Sequence, residues 1–343
     1  MVLSLYLSVI FVHDGSCTTA LFFDIGEIDM LVSICIASVR GHTIPYFVDS
    51  ILAQTYKDWE LIVAVQGNEP SLLNYVEQAQ QNDARIKVIH VDRFGKTHAL
   101  NKTINAAQGE IIAFTDDDCT APPNWLQTFI DCFEQEPAVG LVAGDLVPPP
   151  ASSFSISTCP TTYTIECIYD PKASGFQGPP GFYWSGGNFA ARRSVTDLIG
   201  PFDEYLGPGT DYPVADDTDY ALRAEDLGVI MWTTPRSVIY HTYGRRTGLQ
   251  NFLKHHKAYA RGSGGLIGKL KLWGHKLFDE WEEELKLSGA LTSLSSNPRR
   301  GLLNLYTTKF RRMAYEQYLS NFELDENHLS VPKAKADALI SEN

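Results

Sequence analysis

The chain has 343 residues, is 44% hydrophobic and 20% charged, and carries a formal net charge of −13. This is globular composition, enough for one large domain or for one domain plus an appendage, and the acidic balance argues against a general nucleic-acid binder. No run of 18 apolar residues occurs, so no transmembrane helix is predicted.

The first residues, up to Val12, are apolar but lack the Lys or Arg of a signal-peptide start. Residues 1–29 are therefore expected to be a poorly ordered leader, with the domain starting near Met30. The cysteines (Cys17, Cys35, Cys119, Cys132, Cys159 and Cys167) form no CxxC pair and no zinc spacing. They read as reduced thiols of a cytoplasmic protein.

Residues 31–37, LVSICIA, form a β-branched apolar run and the first strand. Helical spacing of Phe47, Val48, Ile51 and Leu52 follows over 45–54. A second strand over 59–65 ends at Gln66-Gly67-Asn68, and a helix spans 70–81. A strand at 86–91, a helix at 97–107 and a fourth strand at 111–114 complete the pattern. Strict alternation implies parallel strands with helical crossovers. Ligands of such sheets bind beyond the carboxyl ends of the strands. Ser38, Arg40, Gln66 and the acids Asp116, Asp117 and Asp118 all fall there. Neither G-x-G-x-x-G nor a P-loop is present, which disfavours those nucleotide sites.

Three carboxylates in a row repel one another unless water or a cation neutralises them. A hard divalent ion, Mg²⁺ or Mn²⁺, would do so and would also bring in a diphosphate. The plain alternative is a solvated acidic turn.

A helix is predicted over 124–134 and a strand over 139–147. An irregular stretch rich in Pro, Ser, Thr and Gly then runs to about 182; loops of that length are usually functional. Gly186-Gly187 allows close backbone approach to a ligand, and Asn188 offers both a donor and an acceptor; a simple tight turn is the alternative. Asp216, Asp217 and Asp219 open a helix within 213–227, where the macrodipole favours carboxylates. They are more acids than a cap needs. Strands are predicted at 229–232 and 238–241, with His241 either a metal ligand or an ordinary surface histidine.

Beyond Gly248 the pattern is mostly helical, interrupted at 262–268, resuming over 270–287, broken at 298–301, and continuing over 302–322 to a frayed tail from 327. No Asp or Glu occurs between Leu227 and Phe278, whereas Arg236, Arg245, Arg246, Lys254, Lys257, Arg261, Lys269, Lys271 and Lys276 do. A basic stretch in an acidic chain suggests an anionic partner: a diphosphate, or a membrane surface met peripherally through residues 244–276. A packed helical cap is the alternative.

Taken in order, VSICIAS, SILAQTYKDWELIVAVQGNE, NKTINAAQGEIIAFTDDDC and WSGGNFAARRSV followed by IGPFDEYLG and ADDTDYALRAEDLG resemble the family-2 glycosyltransferases of the GT-A fold, over about residues 32–245. The resemblance implies an α/β protein with a Rossmann-like, mostly parallel central sheet flanked by helices. It divides the chain into the leader, a GT-A domain at 30–245 and a C-terminal helical region at 246–343. It implies metal-dependent, inverting transfer from a nucleotide-diphosphate sugar, a UDP-sugar being expected, to a hydroxyl of a carbohydrate or lipid-linked acceptor in glycan, glycolipid or polysaccharide assembly.

By the same resemblance Asp116 and Asp118 hold Mn²⁺ or Mg²⁺ with His241, and Asp117 shares the donor site. Asp217, beside Asp216, is the general base. Ser38, Arg40, Gln66, Lys96, Gly187, Asn188, Arg245 and Arg246 contact the donor. Two departures stand out: Gln66 replaces the Asp that relatives place after the second strand, and Asp216-Asp217 replaces a Glu-Asp pair. An inactive relative that binds carbohydrate or nucleotide is a further reading. A sugar-nucleotide pyrophosphorylase is another, although residues 38–44 lack its Gly-rich basic loop.

Overall fold

The computed structural model describes residues 30–149, 163–173, 186–242, 247–288, 291 and 297–333 with their side chains, and the backbone of 5–11, 17–23, 155–157, 245 and 246. Within the stretch expected to be a leader, β1 (Leu5–Phe11) and β2 (Cys17–Phe23) pair antiparallel in a sheet of their own.

The alternating half forms as its periodicity predicts: β3 (Val32–Ser38), α1 (Ile44–Leu52), β4 (Trp59–Gln66), α2 (Pro70–Asn82), β5 (Ile86–Val91), α3 (Lys96–Ala106), β6 (Ile111–Thr115), α4 (Trp125–Gln135) and β7 (Val139–Val147). Pro45 and Pro70 sit in the first turns of α1 and α2, where a missing N–H costs nothing. Every residue of β4 is buried. That is why the strand reads as an unbroken apolar run: helices cover both faces of a parallel sheet.

Further on come β8 (Ser155–Ser157), β9 (Cys167–Tyr169), β10 (Asn188–Arg192), α5 (Arg193–Ile199), α6 (Asp216–Asp226) and β11 (Ile230–Tyr240). The main sheet has the order β5-β4-β3-β6-β10-β7-β11-β9. β3, β4, β5 and β6 are mutually parallel, as are β7 and β11. β10 runs antiparallel between β6 and β7, and β9 antiparallel along β11. The sheet is thus mostly parallel, as expected, with one inserted strand that alternation does not reveal. The two strands predicted at 229–232 and 238–241 are one, with a register shift between Thr234 and Val238. Pro235 sits inside that irregularity, where the ladder needs no donor.

Phe47, Ile51, Leu72 and Phe129 pack on one face of the sheet, and Leu100, Ile199, Phe202 and Tyr220 on the other. A third cluster joins Leu206, Tyr212 and Leu222 to the C-terminal helices through Leu266, Ile267, Leu270, Ala314 and Tyr318.

The C-terminal region departs from expectation. After β12 (Arg245–Thr247), α7 (Leu249–Trp273) runs unbroken through the glycine-rich segment predicted to interrupt it. The glycines are contact surfaces. A Cβ at Gly264 would lie 2.1 Å from the Arg311 carbonyl oxygen, and one at Gly265 would lie 2.3 Å from Tyr212 Cδ1. The real stop is Gly274, at φ 70°. α8 (Phe278–Glu282) and a 3₁₀ turn, Glu283–Leu285, follow. In α9 (Pro298–Asn321) the residues predicted to break the helix begin it, with the Asn297 side chain capping Arg300 N–H and Pro298 in the first turn. Part of the tail expected to fray is ordered, since β13 (Phe322–Leu324) pairs with β14 (Ser330–Pro332).

Candidate active site

The carboxyl ends of β3, β4 and β6 converge with the start of α3, the Gly186-Gly187 turn and the head of α6. Asp117 turns back toward β3. It accepts from Ser38 Oγ at 2.6 Å and Val39 N at 3.3 Å, and pairs with Arg40 Nη1 at 2.7 Å. Burial raises its carboxyl above the usual range, with Asp118 and Asp116 adding to the rise against the pull of Arg40 and Ser38.

Asp118 faces the other way. Its carboxylate meets Arg40 Nη1 at 2.7 Å and His241 Nε2 at 3.2 Å. Burial opposes its charge, but the His241 hydrogen bond and the charges of His241, Arg40 and Lys96 prevail and hold the carboxyl down at about 2. His241 is delivered by the backbone: Thr120 and Tyr240 exchange N–H···O bonds of 2.8 and 2.9 Å, and His241 N donates to Val147 O at 2.8 Å. This links the segment after the acids to the end of β11.

Asp118, Cys119 and His241 place ligand atoms within 4.8 Å of one another, all buried. A carboxylate and an imidazole suit Mn²⁺ or a similar divalent ion. The Cys119 thiol is the soft donor of the three, and a hard ion such as Mn²⁺ or Mg²⁺ favours the carboxylate and imidazole over it; before any ion binds, burial, with the Asp116 and Asp118 charges, pushes its pKa well up. Asp116, expected beside Asp118 on the metal, lies outside this group; its Oδ1 is 2.5 Å from Lys96 Nζ. Burial works against the Lys96 charge, but Asp116 and Asp216 more than restore it.

Gly186 N donates to Asp217 Oδ2 at 2.7 Å, and Thr218 N donates to Oδ1 at 2.8 Å. A Cβ on Gly186 would sit 3.0 Å from Asp217 Cβ, and one on Gly187 would sit 2.9 Å from Leu146 Cδ2. Asp216 is buried beside Asp217; burial first, then the Asp217 charge, push its carboxyl up to about 6 against Lys96. Ala215, just before the pair, adopts φ 78°, a left-handed conformation. A non-glycine residue holds it only where its surroundings impose it.

Two cavities meet at this centre. One, of about 490 Å³, is lined by Arg40, Gln66, Lys96, Asp116, Asp117, Asp118 and His241, with Phe94 and Gly95 beside them and His255, Ala258 and Tyr259 of α7 above. The other, of about 440 Å³, runs from Gly186, Gly187, Asp216 and Asp217 to Ser263, Leu266, Trp281 and Glu284. Lys96, Asp116, Pro208 and Tyr259 line both. Gln66 lines the first while its Oε1 accepts from Gly95 N at 2.7 Å. Ser38 is buried beneath the same site through its bond to Asp117.

Asn188 is a correction. It is wholly buried and lines neither cavity: its Nδ2 donates to Asp145 O and Ser237 O, and its Oδ1 accepts from Trp125 Nε1 at 2.8 Å. An amide so fully engaged has nothing left for a ligand. Arg245 and Arg246 lie on β12, which pairs with β8; their side chains fall outside the described residues. Lys269 is also removed from any anionic partner, being wholly buried against Asp203 at 2.6 Å and Asp219 at 2.5 Å. His255, Tyr259, Ser263, Trp281 and Glu284 were not singled out from the sequence, because helical spacing alone cannot tell a roof over a site from a packed cap.

This is the GT-A fold. Residues 33–199 match the model of glycosyl transferase family 2. The glucosyl-dolichyl phosphate glucuronosyltransferase of Haloferax volcanii is 31% identical over 118 residues, covering 34% of this chain and 38% of that relative's length. Among solved structures, the mannosyltransferase PcManGT from Pyrobaculum calidifontis, in complex with GDP-Man and Mn²⁺, superposes with a TM-score of 0.53 at 18% identity over 85% of each chain. TarS residues 1–349 of S. aureus with UDP superpose with a TM-score of 0.52 at 13% identity, over 87% of this chain and 95% of that one. At those identities the likeness shows the fold alone. Among the described residues no helix is long and apolar enough to cross a membrane.

Proposed function

We propose that the chain transfers a sugar from a nucleoside-diphosphate donor to an acceptor hydroxyl, with a divalent ion and with inversion at the anomeric carbon. The observation that carries this reading is the meeting of the two cavities at Lys96 and Asp116, with Asp118 and His241 on one side and Asp217 on the other. The larger cavity takes the donor. Gln66 borders the nucleoside end, Arg40 orders Asp117 and Asp118, and Lys96 supplies a permanent positive charge beside Asp116.

Asp118 and His241 would hold the metal, which when bound stabilises charge on the departing diphosphate. PcManGT binds GDP-Man with Mn²⁺ and TarS binds UDP, which supports a nucleotide-sugar donor here. The second cavity takes the acceptor, a carbohydrate or lipid-linked sugar as in glycoconjugate assembly.

Asp217 is the general base. Two backbone N–H groups fix its carboxylate in the lining of the second cavity, where it accepts the proton of the attacking hydroxyl. Attack from that side, opposite the leaving diphosphate, inverts the configuration in one displacement. Asp217→Asn tests the assignment: transfer should fall by about 10²-fold or more, while the thermal shift given by UDP or GDP with Mn²⁺ stays. Near-wild-type turnover would remove Asp217 from this role.

A further inference from the structure

The second cavity is built from both halves of the chain. The catalytic half contributes Gly186, Gly187 and the head of α6. The C-terminal region contributes Tyr259 and Ser263 of α7, Trp281 of α8 and Glu284 of the following turn. The charge of this lining is one-sided. Among the described residues the lining carries the carboxylates Asp116, Asp216, Asp217 and Glu284 and one cation, Lys96; Lys96 pairs with Asp116 and Arg311, outside the lining, with Glu284, which leaves Asp216 and Asp217 in excess. A phosphate entering here would face like charges at close range in a partly desolvated space.

Trp281 is half-buried and lines the same cavity as Asp217. An indole face carries negative quadrupolar density and attracts the positively polarised C–H groups of a pyranose ring. Glu284 is steadied by Arg311 Nε at 3.1 Å and Ser263 Oγ at 3.3 Å. As a carboxylate it only accepts hydrogen bonds, so its natural partners are hydroxyl groups.

We propose that this cavity recognises a neutral saccharide, which stacks on Trp281, bonds a hydroxyl to Glu284 and presents another hydroxyl to Asp217. The acceptor group is therefore a sugar hydroxyl and not the phosphate oxygen of a polyprenyl monophosphate. The C-terminal helical region acts as a specificity element of the site. This inference rests on the glycosyltransferase reading above and narrows its acceptor.

The test measures ligand binding by saturation-transfer NMR, with the full chain held in UDP or GDP and Mn²⁺. The probes are the methyl glycosides of glucose, galactose, mannose and N-acetylglucosamine, with farnesyl phosphate as the competing acceptor class. At least one methyl glycoside should bind the wild type and farnesyl phosphate should not displace it. Trp281→Phe should keep the affinity within about threefold, whereas Trp281→Leu, which keeps bulk without an aromatic face, should weaken it about tenfold, the equivalent of about 1.4 kcal/mol. Both variants should retain the nucleotide-dependent thermal shift, which shows that they are folded. Binding of farnesyl phosphate in place of the glycosides, binding of no glycoside, or equal affinity of the Phe and Leu variants overturns the saccharide assignment. Failure of UDP and GDP to bind the wild type overturns the donor reading beneath it as well, so the two failures are distinguishable.

Discussion

Lys269 of α7 and Asp219 of α6 form an ion pair of 2.5 Å between two wholly buried side chains. Asp203 joins from the loop before α6, at 2.6 Å from the same ammonium, and accepts from Ser330 N and Oγ of β14. One buried lysine thereby ties the C-terminal region to the helix whose first turn carries Asp216 and Asp217.

Removing that cation leaves two carboxylates without their counter-charge, and breaking a buried pair costs roughly 3–5 kcal/mol. Lys269→Met should therefore lower unfolding free energy by about that much in urea titration. Adding Asp203→Asn and Asp219→Asn should recover part of the loss. A change below about 1 kcal/mol for the single variant would mean that water reaches the pair.

The pH dependence of stability carries the signature of Asp216. Its carboxyl is pushed from 3.8 to about 6 in the folded protein. The folded state therefore holds the proton more tightly than the unfolded chain between those values. The contribution is fully present below the lower value, falls as pH rises through the window, and is level above it. Subtracting the urea midpoints of Asp216→Asn from those of the wild type, measured from pH 4 to pH 7, should show this decline. Asp118, held down at about 2, acts with the opposite sign below its ordinary 3.8, outside that window.

Asp118 and His241 converge as a metal-binding pair, so the donor and the ion should bind together. Wild-type protein should gain thermal stability from UDP or GDP with Mn²⁺. At a ligand concentration 100 times the Kd, the gain is about 2.7 kcal/mol. His241→Ala should abolish the Mn²⁺-dependent part while leaving the ligand-free melting temperature within a few degrees. An undiminished Mn²⁺ effect would place the ion elsewhere.

Gly264 separates local propensity from packing. In an exposed helix Gly→Ala gains about 1 kcal/mol. Here the new methyl would lie 2.1 Å from the Arg311 carbonyl oxygen, a backbone atom that cannot rotate away. Overpacking of this kind costs about 1–3 kcal/mol, so Gly264→Ala should be net destabilising by about 1 kcal/mol in urea titration. A stabilised variant would show that α7 and α9 can move apart.

Local order determined much of this protein. The strands and helices from Val32 to Val147 follow from period-two and period-3.6 apolar spacing, and Asp116 to Asp118 fall at a strand end because the apolar run stops there. That Asp217 opens a helix was legible from its acids. These features depend on neighbours a few residues away, which the sequence displays directly.

Long-range contacts decided the rest. Asn188 reads as a ligand residue until Trp125, Asp145 and Ser237 claim its amide. The glycines of α7 read as a break until Tyr212 and Arg311 press against them, and Lys269 reads as a surface charge until Asp203 and Asp219 enclose it. Asp116 pairs with Lys96, twenty residues earlier in the chain, a partner the acidic run does not reveal. In each case the residue type allows two fates. The choice between them is made by a partner distant in sequence, whose position exists only once the sheet and the C-terminal helices have packed.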